Sequence, residues 1–351
     1  MLQINVQTAL GRFALACDLR VQPGQALALV GASGAGKTST LRAIAGLLRP
    51  QCGRISQDDE CWFDSERHIF VPPQGRSCGF VFAEYALFGH LSALENVAFG
   101  LRACGSANSF ARERARELLE RFGVLSLADR KVASLSSGEM QRVAIARALA
   151  TSPAVLLLDE PLSAIDVERR APVREALLGH IAQSGAAAVV VTHDPVEAML
   201  FADQLIVLER GTVVQRGSAS QLRERPRSSY VAAFSGVNLF TGTAHPEAGG
   251  VSVVLINGTP LTVLGSWTGH VAVVIDPDSV VLSKTRPDSS ARNCLIGPVM
   301  HAFPDGGAVR VSIASSPPIV ARVTSQSAAD LDIKPGADVV ATFKASEMRV
   351  H

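Results

Sequence analysis

The residues Gly31-Ala32-Ser33-Gly34-Ala35-Gly36-Lys37-Thr38 follow the apolar run Ala26–Val30 and open a helix-forming stretch. This G-x-x-x-x-G-K-[ST] spacing between strand and helix curls successive backbone N–H groups around phosphate oxygens. The helix N-terminus adds a favourable partial positive charge. Lys37 is expected to reach the β- and γ-phosphates and the Thr38 hydroxyl to ligate Mg²⁺, with Ser39 alongside. A second chemical feature is Ala154-Val-Leu-Leu-Leu-Asp159-Glu160, an apolar strand that ends in two acids. A buried strand of this kind delivers its last side chains to the carboxyl edge of an open α/β sheet, where ligands bind. Asp159 is the expected partner of Mg²⁺ through water. Glu160 is placed to polarise an attacking water, a role typically worth about 10²–10⁴-fold. Together these groups could cleave the terminal phosphate of a nucleoside triphosphate.

The elements needed to hold them are legible as alternation. Strands are expected at 26–30, 78–82, 154–158, 187–192 and 204–208, and helices at 36–48, 92–103, 109–122, 137–151, 166–183 and 194–201. This is the pattern of a mostly parallel sheet covered on both faces. Near Arg223–Ser229 the texture changes. From about 237 onward short β-branched runs recur between Gly, Pro, Asn and Asp, as in Val251–Ile256, Val309–Ile313 and Val339–Phe343, which predicts a small all-β module of barrel type. No repeat of about 20–50 residues runs through the chain.

Composition narrows the partners. The 33 basic and 32 acidic side chains nearly cancel and form no long basic block, so nucleic-acid binding by phosphate neutralisation is not expected. The six cysteines show no metal-ligand spacing and read as plain thiols of a reducing compartment. The N-terminus lacks the pattern of a secretory signal, and no apolar stretch approaches the roughly 18 residues of a spanning helix. If the chain works at a membrane, a partner brings it there.

Leu135-Ser-Ser-Gly-Glu-Met-Gln-Arg-Val-Ala-Ile-Ala-Arg-Ala-Leu149 resembles the signature segment of ATP-binding-cassette ATPases. The resemblance implies an α/β P-loop NTPase over residues 1–230, with a helical subdomain at about 84–135. A linker and first β segment would come next at 231–285, and an OB-like β domain of Mop or TOBE type at 286–351. It also implies a homodimer with ATP sandwiched head to tail. Ser136 and Gly138 would then face the γ-phosphate held by the other copy, and Asp166, closing Leu162-Ser-Ala-Ile-Asp166, would touch the partner's phosphate site. His193, in Val191-Thr-His-Asp194, matches the switch histidine that contacts the γ-phosphate and helps hold the water activated by Glu160. Phe13 is the aromatic expected against adenine, with Leu10 the alternative at that place. Two positions depart from the family. Ala83 stands where Gln usually approaches Mg²⁺, and Ser137 stands where the signature has Gly. With the catalytic set retained, these departures are expected to slow turnover without abolishing it.

The stretch Glu84–Gly100 resembles importer ATPases for sugars, sulfate and molybdate, and Phe82, Tyr85, Leu87, Phe88 and Leu91 match the surface that receives a permease helix. The tail segments around Ser289–Val299, Leu331–Gly336 and Ala341–Val350 resemble a Mop module that binds molybdate or tungstate. The matching oxyanion positions are Ser290, Arg292, Asn293, Lys344, Ala345 and Ser346. These resemblances imply an ATPase that uses ATP and Mg²⁺, peripheral on the cytoplasmic face of a bacterial inner membrane. It would serve two permease subunits and a periplasmic binding protein that import molybdate. The alternatives are the same machine for sulfate or another solute, a soluble non-transport cassette, and an oxyanion-sensing binding protein.

Overall fold

The computed structural model describes residues 1–351, which divide into two compact units, Met1–Ala219 and Ser220–His351. In the first, eleven strands form one sheet: β1 Leu2–Leu10, β2 Phe13–Val21, β3 Ala26–Val30, β4 Cys52–Gln57, β5 Glu60–Asp64, β6 Ile69–Phe70, β7 Cys78–Val81, β8 Val155–Asp159, β9 Ala187–Val191, β10 Gln204–Glu209 and β11 Thr212–Gly217. Their order is β6-β5-β4-β1-β2-β11-β10-β3-β9-β8-β7. From β10 to β7 every pairing is parallel. β8 and β9 are buried at every residue, as strands covered on both faces must be. The outer strands β6, β5, β4, β1 and β2 pair antiparallel. In β1 alternate residues Leu2, Ile4, Val6 and Thr8 face the core. The consequence for chemistry is positional: β3, β9 and β8 are neighbours, so the segments leaving their carboxyl ends meet on one edge.

Six helices accompany this sheet: α1 Lys37–Ile44, α2 Ala93–Ala103, α3 Asn108–Arg121, α4 Ser137–Ala150, α5 Val167–Ser184 and α6 Pro195–Phe201. α2 and α3 pack with α4 and form the helical segment. α1 stops at Ile44, short of the expected 48. Gly46 takes φ +78°, and the buried Arg76 guanidinium donates through Nη1 to the carbonyls of Ala43 (3.0 Å) and Ile44 (2.6 Å). Ala43 O also accepts from Gly46 N at 3.2 Å, so Arg76 completes the bonding of the last helical carbonyls, and a Cβ at Gly46 would lie 2.8 Å from Arg76 Nε.

The second unit adds α7 Ala219–Glu224, which straddles its start, and α8 Ser229–Phe234. Its strands are β12 Asn238–Glu247, β13 Val251–Ile256, β14 Thr259–Leu264, β15 Gly269–Ile275, β16 Val281–Ser283, β17 Asn293–Asp305, β18 Ala308–Ile313, β19 Ile319–Thr324, β20 Asp338–Phe343 and β21 Met348–Val350, with α9 Ser325–Asp330 before β20. They form two curled five-stranded antiparallel sheets, β14-β13-β12-β15-β21 and β16-β20-β17-β18-β19, around one apolar core that includes Phe240, Val273, Leu295 and Phe343.

The two sheets are one plan used twice. β12 to β15 correspond to β17 to β20, and each half lends its last short strand to the other, β16 to β20 and β21 to β15. Asn238 and Gly242 recur as Asn293 and Gly297, each pair 55 positions apart (293 − 238 and 297 − 242). Residues 231–285 therefore hold half of this core, where a linker and first segment were expected. The halves share few residue types, so the repeat is not legible in the sequence.

Candidate active site

β3 runs into the phosphate loop, and two glycines there are sterically required. A Cβ at Gly31 would lie 2.2 Å from the carbonyl oxygen of Leu208 on β10. Gly36 takes φ +104°, and a Cβ there would sit 3.0 Å from the Phe13 ring. Phe13 packs against the loop in this way and lines a cavity of about 340 Å³ with Ser33, Gly34, Ala35, Gly36, Lys37, Thr38, Ser39, Ala83, Asp159, Glu160 and Val191. Leu10 does not line it. Lys37 Nζ donates to the carbonyls of Gly31 (2.7 Å) and Ala32 (3.0 Å), which holds the ammonium over the loop. Burial lowers the Lys37 pKa, and the charges of Glu160 and Asp159 work against that shift.

Thr38 Oγ1 donates to Asp159 Oδ2 at 2.9 Å. Burial raises the Asp159 pKa; the Thr38 hydrogen bond opposes this, Glu160 adds to it and Lys37 opposes it. One hydroxyl and one carboxylate, both hard oxygens, suit Mg²⁺, which keeps several waters and takes phosphate oxygens. No cluster of three or more His, Cys, Asp or Glu exists that would form an all-protein metal cage.

Glu160 follows β8 with φ +53°, a left-handed conformation that a non-glycine residue adopts only under constraint. Its N–H donates to Val191 O at 2.9 Å, and its carbonyl accepts from Gln141 Nε2 at 2.7 Å and from Ser163 Oγ at 3.0 Å. The carboxylate is thereby aimed at His193, whose Nδ1 lies 2.8 and 2.9 Å from its two oxygens. The turn carrying His193 is fixed on its far side. Thr192 Oγ1 donates to Glu197, and Asp194 caps α6 by accepting from Val196 N and Glu197 N.

The Glu160 hydrogen bond and charge raise the His193 pKa above its ordinary 6.5. The pairing contributes to stability fully below 6.5 and is lost as pH rises through the raised value. NMR titration of the His193 ring is expected to give a pKa above 6.5 that falls back in Glu160→Gln. An unchanged titration in that variant contradicts the pairing.

The signature residues line a different cavity, of about 230 Å³, formed by Ser136, Ser137, Gly138, Glu139, Arg142, Ala164, Ile165, Asp166 and Arg169. No residue lines both cavities. Ser136 caps α4 in a reciprocal box: its Oγ accepts from Glu139 N at 3.4 Å, and Glu139 Oε2 accepts from Ser136 N at 2.8 Å. A Cβ at Gly138 would lie 2.9 Å from Ala164 O, so that glycine is needed, whereas position 137 is exposed and accommodates serine. Ala83 lines the phosphate cavity and offers it only a methyl group.

The tail residues divide. Ser290 and Lys344 line a cavity of about 440 Å³, shared with the carboxylates of Asp278 and Glu347, and Arg292 and Ser346 are exposed while Ala345 is half-buried. Asn293 is corrected from oxyanion ligand to structural clamp. It is buried, its Oδ1 accepts from Thr262 N (2.7 Å), and its Nδ2 donates to Thr262 O (2.9 Å) and Met348 Sδ (3.2 Å). Its counterpart Asn238 clamps Val320 in the same two-bond manner. Gln141 is the site residue to which sequence reading gave no role. Its only signal was a polar side chain within the signature helix.

The sheet, the phosphate loop, the paired acids and the separate signature cavity define an ATP-binding-cassette ATPase, and the chain belongs to that family. The ABC transporter family profile matches residues 16–163 and the TOBE domain profile residues 289–350. The chain is 36% identical over 362 residues to the molybdenum import ATP-binding protein ModC of Mycobacterium tuberculosis (strain CDC 1551 / Oshkosh), covering 100% of this chain and 98% of the relative. It is likewise 36% identical over 314 residues to the Fe(3+) ions import ATP-binding protein FbpC of Agrobacterium fabrum, covering 88% and 86%. Among solved structures, the dimeric ATP-binding cassette MJ0796 in a post-hydrolysis state bound to ADP and Pi is 30% identical, with a TM-score of 0.56, over 62% of this chain and 98% of that one. The chain is therefore an importer-type ATPase that binds and hydrolyses ATP, carrying a C-terminal TOBE domain.

Proposed function

We propose that this ATPase energises import of molybdate, or its congener tungstate, and that it acts as a pair of copies. The observation that carries the paired reading is the division of the nucleotide-facing groups between two cavities of one chain. Phe13, Lys37, Thr38, Asp159 and Glu160 line one, and Ser136, Gly138 and Asp166 the other. Head-to-tail pairing brings the first set of one copy against the second set of its partner, twice. The phosphate loop and Lys37 then hold the β- and γ-phosphates, Glu160 takes the proton of the attacking water, and His193 holds Glu160 and contacts the γ-phosphate. Thr38 and Asp159 would hold Mg²⁺, which when bound neutralises charge on the phosphates. No helix is long and apolar enough to cross a membrane. The proposed setting is the cytoplasmic face of a bacterial inner membrane, beside two permease subunits and a periplasmic binding protein.

Molybdate is supported by similarity to a molybdenum importer over the whole chain, tail included. Ser290, Arg292, Lys344, Ala345 and Ser346 remain the proposed oxyanion contacts, through backbone N–H groups and hydroxyls. Iron import is the reading that the FbpC relatives favour, whose matches cover 88% and 97% of the chain. The test is ATP turnover of the assembled transporter with its binding protein loaded in turn with molybdate, tungstate, sulfate or ferric ion. Stimulation by molybdate or tungstate alone is expected; stimulation by ferric ion or sulfate instead overturns the assignment.

The two departures from the family give a separate expectation. Ala83→Gln restores a polar side chain to the phosphate cavity, and Ser137→Gly removes a hydroxyl from the signature cavity. Each is expected to raise steady-state ATP hydrolysis severalfold. Unchanged turnover in both removes these positions as rate limits.

A further inference from the structure

We infer that Gln141 is a positioning residue for Glu160, and that through it the signature helix sets the aim of the carboxylate that polarises the attacking water. The inference rests on the catalytic reading of Glu160. Gln141 lies on α4, one turn beyond the signature residues, and its side chain is fully buried. All of its side-chain bonding goes to one short stretch of chain, residues 160–164. Nε2 donates to Glu160 O at 2.7 Å and reaches Ser163 Oγ at 3.4 Å, while Oε1 accepts from Ala164 N at 2.9 Å.

Glu160 needs such a hold. Its φ of +53° is unfavourable for a residue with a Cβ, and left alone the peptide relaxes toward the β or α region and swings the carboxylate away. A buried amide that gives a donor to one carbonyl and an acceptor to an N–H four residues on fixes both ends of the 160–164 turn. Ala164 and Ile165 also line the signature cavity, together with Ser136 and Gly138 from the start of α4. A γ-phosphate arriving from the other copy at this cavity therefore presses on the helix and the loop that Gln141 ties to Glu160. The occupancy of one nucleotide site is in this way linked to the geometry of the other.

The test uses the full chain. Gln141→Ala is expected to lower kcat by about tenfold to a hundredfold through misplacement of the carboxylate. KM for ATP and the Kd of a fluorescent ATP analogue are expected to stay within about twofold, because no phosphate-loop contact is lost. Gln141→Glu supplies a readout that a merely structural role would not move. Its Oε still accepts from Ala164 N, but as a carboxylate it faces the Glu160 carbonyl with no proton to donate. Buried protonation at lower pH restores the donor. Its kcat relative to wild type is therefore expected to recover between about pH 8 and pH 6.

Wild-type kcat in Gln141→Ala, a Kd that weakens in step with kcat, or a Gln141→Glu deficit that is the same at every pH overturns the proposal. If the alanine variant does not fold, the pH profile of the glutamate variant decides. Glu160→Gln measured in parallel separates the two claims. Retained turnover there overturns the catalytic role of Glu160 and this proposal with it. Lost turnover there, beside wild-type kcat in Gln141→Ala, overturns the positioning role alone.

Discussion

Glu160→Gln is expected to lower ATP turnover by about 10²–10⁴-fold while ATP affinity stays within about twofold. The carboxylate does not line the phosphate loop as a ligand. It lines the same cavity and lies within 2.9 Å of His193 Nδ1, the place proposed for the attacking water. The amide keeps the shape and a hydrogen-bonding oxygen for His193, but it no longer accepts the proton of that water. Phosphate release and equilibrium ATP binding measured on the same preparation check this. Turnover within about tenfold of wild type would show that another group carries the general-base role.

Ser137→Asp is the second large effect, and it is expected to act across the copy boundary. Position 137 is exposed in the first turn of α4, where an aspartate suits the helix dipole, so folding is preserved. The same carboxylate faces the place proposed for the partner's γ-phosphate. At about 4 Å and an effective dielectric near 20, each pair of like unit charges repels by roughly 4 kcal/mol. Turnover is expected to fall at least about a hundredfold, while ATP binding to the chain's own phosphate loop, in the other cavity, is unchanged. Loss of that binding in the isolated variant would mean that the signature cavity belongs to the chain's own ATP-binding site.

Much of this was readable in the sequence because it is local. The phosphate loop, the all-apolar strand ending at Asp159, and the β-branched runs of the tail each announce themselves within a few residues. What was not readable depends on distant partners. α1 ends early because Arg76, 32 to 33 positions away, supplies donors to its last carbonyls. β12 and β17 are not legible as strands because Gly242, Pro246, Pro298 and Pro304 break up their apolar runs. Gly242 and Gly297 are bare because carbonyls of Leu255 and Ala314 pass within 2.4 and 2.6 Å of where a Cβ would stand. Asn293 looked like a ligand in a polar motif and proves to be a buried clamp on Thr262. Likewise Gln141 acquires meaning only when the fold brings Glu160 and Ala164 to it.

Each ATP is proposed to be held between the phosphate loop of one copy and the signature residues of another. Sedimentation of Glu160→Gln with and without Mg·ATP tests this most directly, because blocking hydrolysis should trap the paired state. A 36.9 kDa species is expected without nucleotide and one of twice that mass, holding two ATP, with it. Adding Ser137→Asp to the same chain should return it to the single-chain mass with ATP still bound. An ATP-loaded Glu160→Gln that stays at the single-chain mass, or pairing that survives Ser137→Asp, would contradict the shared site.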